Sequence, residues 1–469
     1  MDGGKHRINK KRAGVSNGSS KSKTVLLIYP SHLSLSRLAD LIADLKLAFR
    51  AKKVESENVI SENEVIVFEM DDVVEGAAIA NKRFGVEKVA LARKLPNTNF
   101  EQVSSEIASV GKLKVLPQEK FFVKVQISKD ANVNYKPRDL EFASTGDLIS
   151  ALMSRSHFRS NTYVKHNGIW YPLPARNEIE ADRTLDVYVG KREAYICIET
   201  DKGLGGLPFG CQKEKVLCAF YDSLSSISCV SMLKSGFLPE IVVLYTDDES
   251  LRQNLKMLGF VLSKAHTRNY SIRLAKLNFP SSAEVQPHSE ISIGKREIEM
   301  KIEMERERER VRRGERGGKE SKGKKATLEQ PQKMGYYEGI LKRLASIRIL
   351  SQINEKNIVL PFSTSVHPLW LIESVFKQIV AQNKVPWMPL LLPIQDLHEI
   401  AEELGMNEYK PLVSTSIFNE AESGSTFTAL DHRRYSRILD KVAKESIKDM
   451  KTVSFEIGPN YLHNILDSI

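Results

Sequence analysis

Apolar positions alternate with helical and strand-like spacing through most of the chain. Val25-Leu-Leu-Ile-Tyr29 is a short apolar run that reads as a buried strand. Leu33 to Phe49 then places Leu38, Leu41, Ile42, Leu45 and Phe49 at helical spacing. Val65–Met70 predicts a strand, Val73–Phe84 a helix ending at Gly85, and Val86–Leu91 a further strand, with room for a fourth strand near Lys52–Ile60. This order predicts a ferredoxin-like α+β unit over residues 24–98. Phe100–Val110 carries Val103, Ile107 and Val110 on one helical face, with Gly111 as its expected cap and Lys112 and Lys114 leading out of it. The next stretch holds strand-like runs at Phe121–Ile127, Leu185–Val189 and Ala194–Glu199 and a helical run at Thr145–Met153.

From Val216 onward the pattern becomes strand then helix, repeatedly. Val216–Tyr221, Glu240–Tyr245, Lys356–Phe362 and Met388–Leu392 read as strands. Ser223–Ser235 before Gly236, Ser250–Leu258 before Gly259, His367–Ala381, Gln395–Leu404 before Gly405, and Asp431–Lys448 read as helices. Near-continuous apolar strands between helices predict an α/β doubly wound parallel sheet over residues 213–469. A charged insert at about 281–335 interrupts it. Glu and Arg alternate over part of its Lys295–Arg310 run, which suits a solvated helix as well as an RNA- or protein-contacting arm.

Composition changes this picture in two ways. A chain of 469 residues accommodates roughly two to four domains. Its net charge of +10 suits a polyanionic partner such as nucleic acid, although basic tails on an otherwise ordinary soluble protein give the same balance. Residues 1–23, rich in Lys, Arg, Gly and Ser, predict a disordered basic tail. The four cysteines, Cys197, Cys211, Cys218 and Cys229, form no CxxC pair and no zinc spacing, and they suit a reducing cytoplasm. No apolar run approaches a membrane span, and the N-terminus lacks the apolar core of a secretory signal.

Candidate chemistry concentrates in two places. Arg155, His157, Arg159 and Lys165 are interleaved with Phe158 and Tyr163, and Lys112, Lys114, Lys191, Arg192 and Lys202 extend the basic set. Basic groups neutralise phosphates and aromatics stack on unpaired bases, so this is the candidate RNA-binding surface. The alternative is that Phe158 and Tyr163 are core and the charges solvate a loop. The second place is Tyr221-Asp-Ser-Leu-Ser-Ser226, at a strand-to-helix junction. No GxSxG elbow surrounds its serines, which read as helix caps. His398 with Glu399 and Glu402 is not an HExxH set, and Gly203-Leu-Gly-Gly206 reads as a flexible joint, not a dinucleotide fingerprint.

Three stretches resemble the tRNA 4-thiouridine synthase (tRNA sulfurtransferase) family: Glu75–Val86, Gly206-Leu-Pro-Phe-Gly210, and Pro389–Gly405. The resemblance implies a ferredoxin-like domain, a THUMP domain (residues 99–202) that grips the acceptor end of tRNA, a glycine-rich joint (203–212) and a PP-loop ATPase-like domain. It also marks departures. Against the family's SGGxDS phosphate loop, Tyr221, Asp222 and Ser223 replace Ser-Gly-Gly, Ser225 replaces the Asp, and only Ser226 remains. No cysteine follows Cys229 to carry sulfur, and Gln395-Asp-Leu-His398 replaces the tetrad that begins with the late lysine. The expectation is a tRNA-binding protein with a degenerate nucleotide loop, no cofactor, no metal, and a docking role toward a modifying enzyme. The alternatives are a divergent ATP-dependent thiolating enzyme and a scaffold that binds no RNA.

Overall fold

A computed structural model describes residues 23–62, 64–116, 119–153, 163–166, 169–172, 174–263, 269–279, 330–362, 367, 369–390, 402, 429–456 and 465–466. The chain is of mixed α/β type and divides into two compact units. One takes the chain up to Leu35, Ala48–Asn81 and Val86–Gly203. The other takes Ser36–Leu47, Lys82–Gly85 and everything from Leu204.

The first unit is organised by β1 (Thr24–Pro30), whose five central residues are apolar and which is buried on both faces. β2 (Ser56–Glu62), β3 (Val65–Met70), β4 (Val86–Leu95), β5 (Phe121–Ile127), β8 (Arg183–Val189) and β9 (Ala194–Lys202) join it in a seven-stranded sheet of order β2-β3-β1-β4-β9-β8-β5. β6 (Tyr163–His166) and β7 (Ile169–Pro172) form a separate hairpin. Strands from both halves of this unit therefore share one sheet, through the antiparallel pairing of β4 with β9. After a 3-10 turn at His32–Arg37 comes α1 (Leu38–Ala51), most of which belongs to the second unit, and later α2 (Val73–Ala80), which packs on β1 and β3 with Gly76 against Met70 and Leu26. α3 (Phe100–Lys114) and α4 (Pro137–Met153) pack together against β5, β8 and β9 around Ile107, Leu140, Leu148 and Leu185.

The sheet curls until its far ends touch. Tyr188 on β8 donates to Glu62 on β2 at 2.7 Å, the Lys191 backbone N–H donates to the same carboxylate at 3.1 Å, and Gln126 on β5 reaches Glu64. Val25, Leu27, Val67, Ala92, Tyr188, Tyr195 and Cys197 fill the inside of the curl.

In the second unit β10 (Lys215–Phe220), β11 (Leu238–Tyr245), β12 (Asn269–Lys276), β13 (Asn357–Val359), β14 (Val385–Trp387) and β15 (Lys451–Glu456) lie in the order β14-β13-β10-β11-β12-β15. All pairs are parallel except β12 with β15, so the expected parallel sheet carries an antiparallel edge strand. Strand alternation sorts β10 cleanly. Val216, Cys218 and Phe220 face the core under α5 (Ser223–Lys234) and α6 (Asp248–Leu262), while Leu217 and Ala219 face the core under α7 (Gln330–Gln352), α8 (Leu369–Val380) and α9 (Ala429–Lys448). Phe84 is fully buried in the first of these cores.

Several expectations shift. Gly111 lies inside α3 and does not cap it, because the helix runs on through Lys112 and Lys114. Gly259 likewise sits buried within α6. The strand expected at Met388–Leu392 forms earlier, as β14. The glycine run read as a flexible joint is pinned: Gly203 N–H donates to Glu87 O at 2.8 Å, Gly85 N–H to Gly205 O at 2.7 Å and Leu207 N–H to Lys234 O at 2.7 Å. Gly206 has φ +78°, and a Cβ there would stand 2.4 Å from Lys234 O, so only glycine fits. The charged insert and nearly all of Gln395–Leu404 lie outside the described residues. Among the described residues no helix is long and apolar enough to cross a membrane.

Candidate functional site

The chain runs from β10 through β11 to β12 on one side of the sheet, and later returns to β13 and β14 on the other side of β10. The winding therefore reverses between β10 and β13. In open α/β sheets the crevice beyond the carboxyl ends of the strands at such a reversal is the usual ligand position. Here the segment Tyr221–Ser226 stands there, with Pro361 and Phe362 following β13.

Local chemistry explains the shape of this segment. Asp222 has extended backbone and caps α5. Its Oδ1 accepts from Ser225 N–H at 2.7 Å, and Ser225 Oγ accepts from Asp222 N–H at 2.9 Å and Tyr221 N–H at 3.0 Å. This reciprocal capping box satisfies donors that a helix start otherwise offers to an anion. Ser226 Oγ donates back to Asp222 O at 2.7 Å, and Ser223, Ser225 and Ser226 are all buried. The next junction repeats the device: Asp247 caps α6, accepting from Ser250 N–H at 2.8 Å, and Ser250 Oγ accepts from Asp247 N–H at 3.1 Å.

The second carboxylate oxygen of Asp222 meets Arg343 Nη1 at 3.0 Å. Arg343 rises from α7, is 1% exposed, and also lies 3.5 Å from Pro361 O. Its guanidinium carbon stands 6.0 Å from the centre of the Tyr221 ring, a cation–π distance. Burial pushes the Tyr221 phenol well above its ordinary pKa, so it stays neutral. The junction thus holds one buried cation, one carboxylate and one neutral aromatic, joined to each other. The sequence reading missed Arg343. The available signal was a pair of arginines, Arg343 and Arg348, within the largely apolar run Ile340–Leu350, which also holds Lys342 and Ser346.

The candidate RNA-binding residues are scattered. Arg155, His157 and Arg159 lie outside the described residues. Lys165 is on β6, opposite Trp170 on β7. Lys112 and Lys114 occupy the last turn of α3. Burial lowers the pKa of the Lys114 ammonium, and Glu199 offsets part of that. Lys191 and Arg192 are exposed in the turn before β9, and Lys202 is exposed at the strand's far end, opposite Lys88. A nine-residue strand at about 3.3 Å per residue separates them by roughly 30 Å, so Lys202 does not join the other two in one patch.

No family model matches this chain, and no curated protein matches it. Solved structures do. PH1313 from Pyrococcus horikoshii Ot3 superposes with a TM-score of 0.51 at 14% identity, over 81% of this chain and 99% of that one. A 4-thiouridine synthetase, solved as an RNA complex with bound ATP, superposes with a TM-score of 0.54 at 14% identity, over 92% of this chain and 100% of that one. The chain shares the fold of a 4-thiouridine synthetase. Of the stretches that carried the resemblance in sequence, Glu75–Val86 spans most of α2 and the start of β4, and Gly206–Gly210 precedes β10. Most of Pro389–Gly405 lies outside the described residues.

Proposed function

We propose that this is a tRNA-binding protein on a sulfurtransferase-like scaffold whose nucleotide loop no longer takes ATP. On this reading residues 24–98 and 99–202 supply the ferredoxin-like and THUMP parts and hold an acceptor end. Residues 213–469 keep a PP-loop-like architecture and serve as a platform for a modifying enzyme. The protein works in the cytoplasm, where its four buried free thiols remain reduced. The RNA partner is argued from the fold shared with a synthetase solved in complex with RNA, and from the net charge of +10. Arg155, His157, Arg159, Lys165, Lys112, Lys114, Lys191, Arg192 and Lys202 remain the candidate contacts.

One observation carries the loss of ATP binding: the Asp222 carboxylate occupies the helix start, with Arg343 as its counter-ion. A triphosphate would have to displace the Ser225 hydrogen bond and sit against that carboxylate. Like charges 4 Å apart repel by about 4 kcal/mol at an effective dielectric near 20. The test is equilibrium binding of labelled tRNA and of ATP to the full chain, with pyrophosphate release followed in parallel. The expected outcome is salt-sensitive tRNA binding that weakens when the acceptor end is trimmed, with no ATP binding and no pyrophosphate. tRNA-dependent pyrophosphate release above background would establish the thiolating-enzyme reading instead.

A further inference from the structure

α9 buries Tyr435, Leu439, Val442, Ala443 and Ser446 on one face, against α7 and the sheet. Ser446 Oγ fixes it there by donating to Lys276 O, at the end of β12, at 2.6 Å. The opposite face carries Arg437, Lys441, Lys444 and Lys448, all exposed. They stand at i, i+4, i+7 and i+11, a spacing that keeps residues on one side of a helix. At a rise of 1.5 Å per residue the row is roughly 16 Å long. The carboxylates nearby do not cancel it. Among the described side chains of α9 they are Asp440 and Glu445. Asp440 is taken by Arg348 of α7, a cation from outside the row, which also donates to Ser436 Oγ at 2.9 Å. Glu445 stands 4.0 Å from Lys441, whose side chain remains 78% exposed. Past the helix end, exposed Asp449 is followed closely by exposed Lys451. The face is therefore net positive with every acidic group included.

We propose that this row lies along the phosphate backbone of double-stranded RNA. The inference rests on the reading of the chain as an RNA-binding protein, and it gives residues 213–469, there a platform only, an RNA contact of their own. Over about 16 Å one strand of a duplex offers about five phosphates, at roughly 3.4 Å of axis each, which four cations in line can follow. None of the large apolar side chains exposed among the described residues lies on α9, and its tyrosine, Tyr435, is buried. The face thus has no ring on which an unpaired base could stack, as single strands require. It also lacks the aromatic and apolar anchors on which a protein partner docks, and lysine is depleted from the centres of such interfaces. Charge without anchors suits a duplex, whose bases are turned inward and whose phosphates are the accessible groups.

The test measures binding of the full chain to a blunt RNA duplex and to single-stranded poly-U across a salt series. The variant is Lys441→Gln with Lys444→Gln. Both side chains are exposed and the Lys441–Glu445 pair is solvated, so the thermal melt is unchanged, which is checked first. The expected result is about tenfold weaker duplex binding, a salt slope smaller by about two, the same loss for a second duplex of unrelated sequence, and little change with poly-U. Lys441→Arg with Lys444→Arg keeps wild-type affinity. Arg252→Gln with Lys256→Gln, which removes two exposed cations from α6, leaves duplex binding near wild type. If wild type binds the duplex and the α9 variant binds it equally well, or the α6 variant weakens it as much, the row is wrong while the RNA reading stands. A loss confined to poly-U, or confined to a polyglutamate peptide offered as an acidic protein surface, also overturns the proposal. If wild type binds neither the duplex nor tRNA, both readings fall.

Discussion

Arg343 is 1% exposed, whereas Asp222, its partner at 3.0 Å, keeps 22% of its side chain in solvent, so the two ends of this ion pair are not equivalent. Removing the carboxylate takes the charge of Asp222 away from a cation held in the core. Removing the cation leaves a carboxylate that water can still reach and that the helix start still holds. Asp222→Asn keeps the cap, since Asn is as good a helix-capping residue. It is nonetheless expected to destabilise the protein by about 3 kcal/mol, Arg343→Met by less, and the double variant by less than Asp222→Asn alone. Urea unfolding midpoints of the three variants test this ordering. At this scale the sequence was half legible. The serines after β10 read as caps because Ser and Asp at a strand-to-helix junction have little else to bond. The partner of Asp222 could not be found, because it lies 121 positions along the chain, on a helix that the pattern did not show.

That helix, α7, shows why some elements escape periodicity. Its apolar residues from Ile340 to Leu350 are spread round the helix, some against β10 and some against α9, with Lys342, Arg343, Ser346 and Arg348 among them, so no single apolar stripe marks a 3.6-residue period. β12 and β15 were missed as well. Their short alternating runs, Tyr270-Ser-Ile-Arg-Leu274 and Thr452-Val-Ser-Phe455, gain meaning only once they pair with each other. Elements with one clear apolar face, such as α3, or with a long apolar run, such as β1 and β11, fell where the pattern put them. Glycine misled twice, because α3 and α6 both continue past it, and in α3 it serves close packing. A Cβ at Gly111 would lie 2.8 Å from the methyl carbons of both Leu148 and Leu185. Gly111→Ala gains helix propensity of up to about 1 kcal/mol, but overpacking costs about 1–3 kcal/mol. The expected net result is a lower melting temperature, measurable by circular dichroism.

Across the whole molecule, mixed α/β content and the change of pattern near Val216 were legible, because each follows from local spacing. The interleaving of the two units was not. Ser36–Leu47 and Lys82–Gly85 belong with the unit that otherwise begins at Leu204, and nothing in their composition sets them apart from the strands around them. A fragment of residues 204–469 therefore lacks Phe84, which is part of the same buried core as Val216, Phe220 and Leu255. Such a fragment is expected to be less soluble and to expose more protease-sensitive sites than the same region in the full chain. Limited proteolysis of both, read by mass spectrometry, checks this.

The same threading bears on how the protein is made. A ribosome adding about 5–20 residues per second releases Phe84 tens of seconds before the last strand of the sheet beneath it. During that interval a greasy side chain waits in the open for a partner not yet translated. The nascent polypeptide is thus most vulnerable early, and a trigger-factor-like chaperone would find its footing at the beginning of the message.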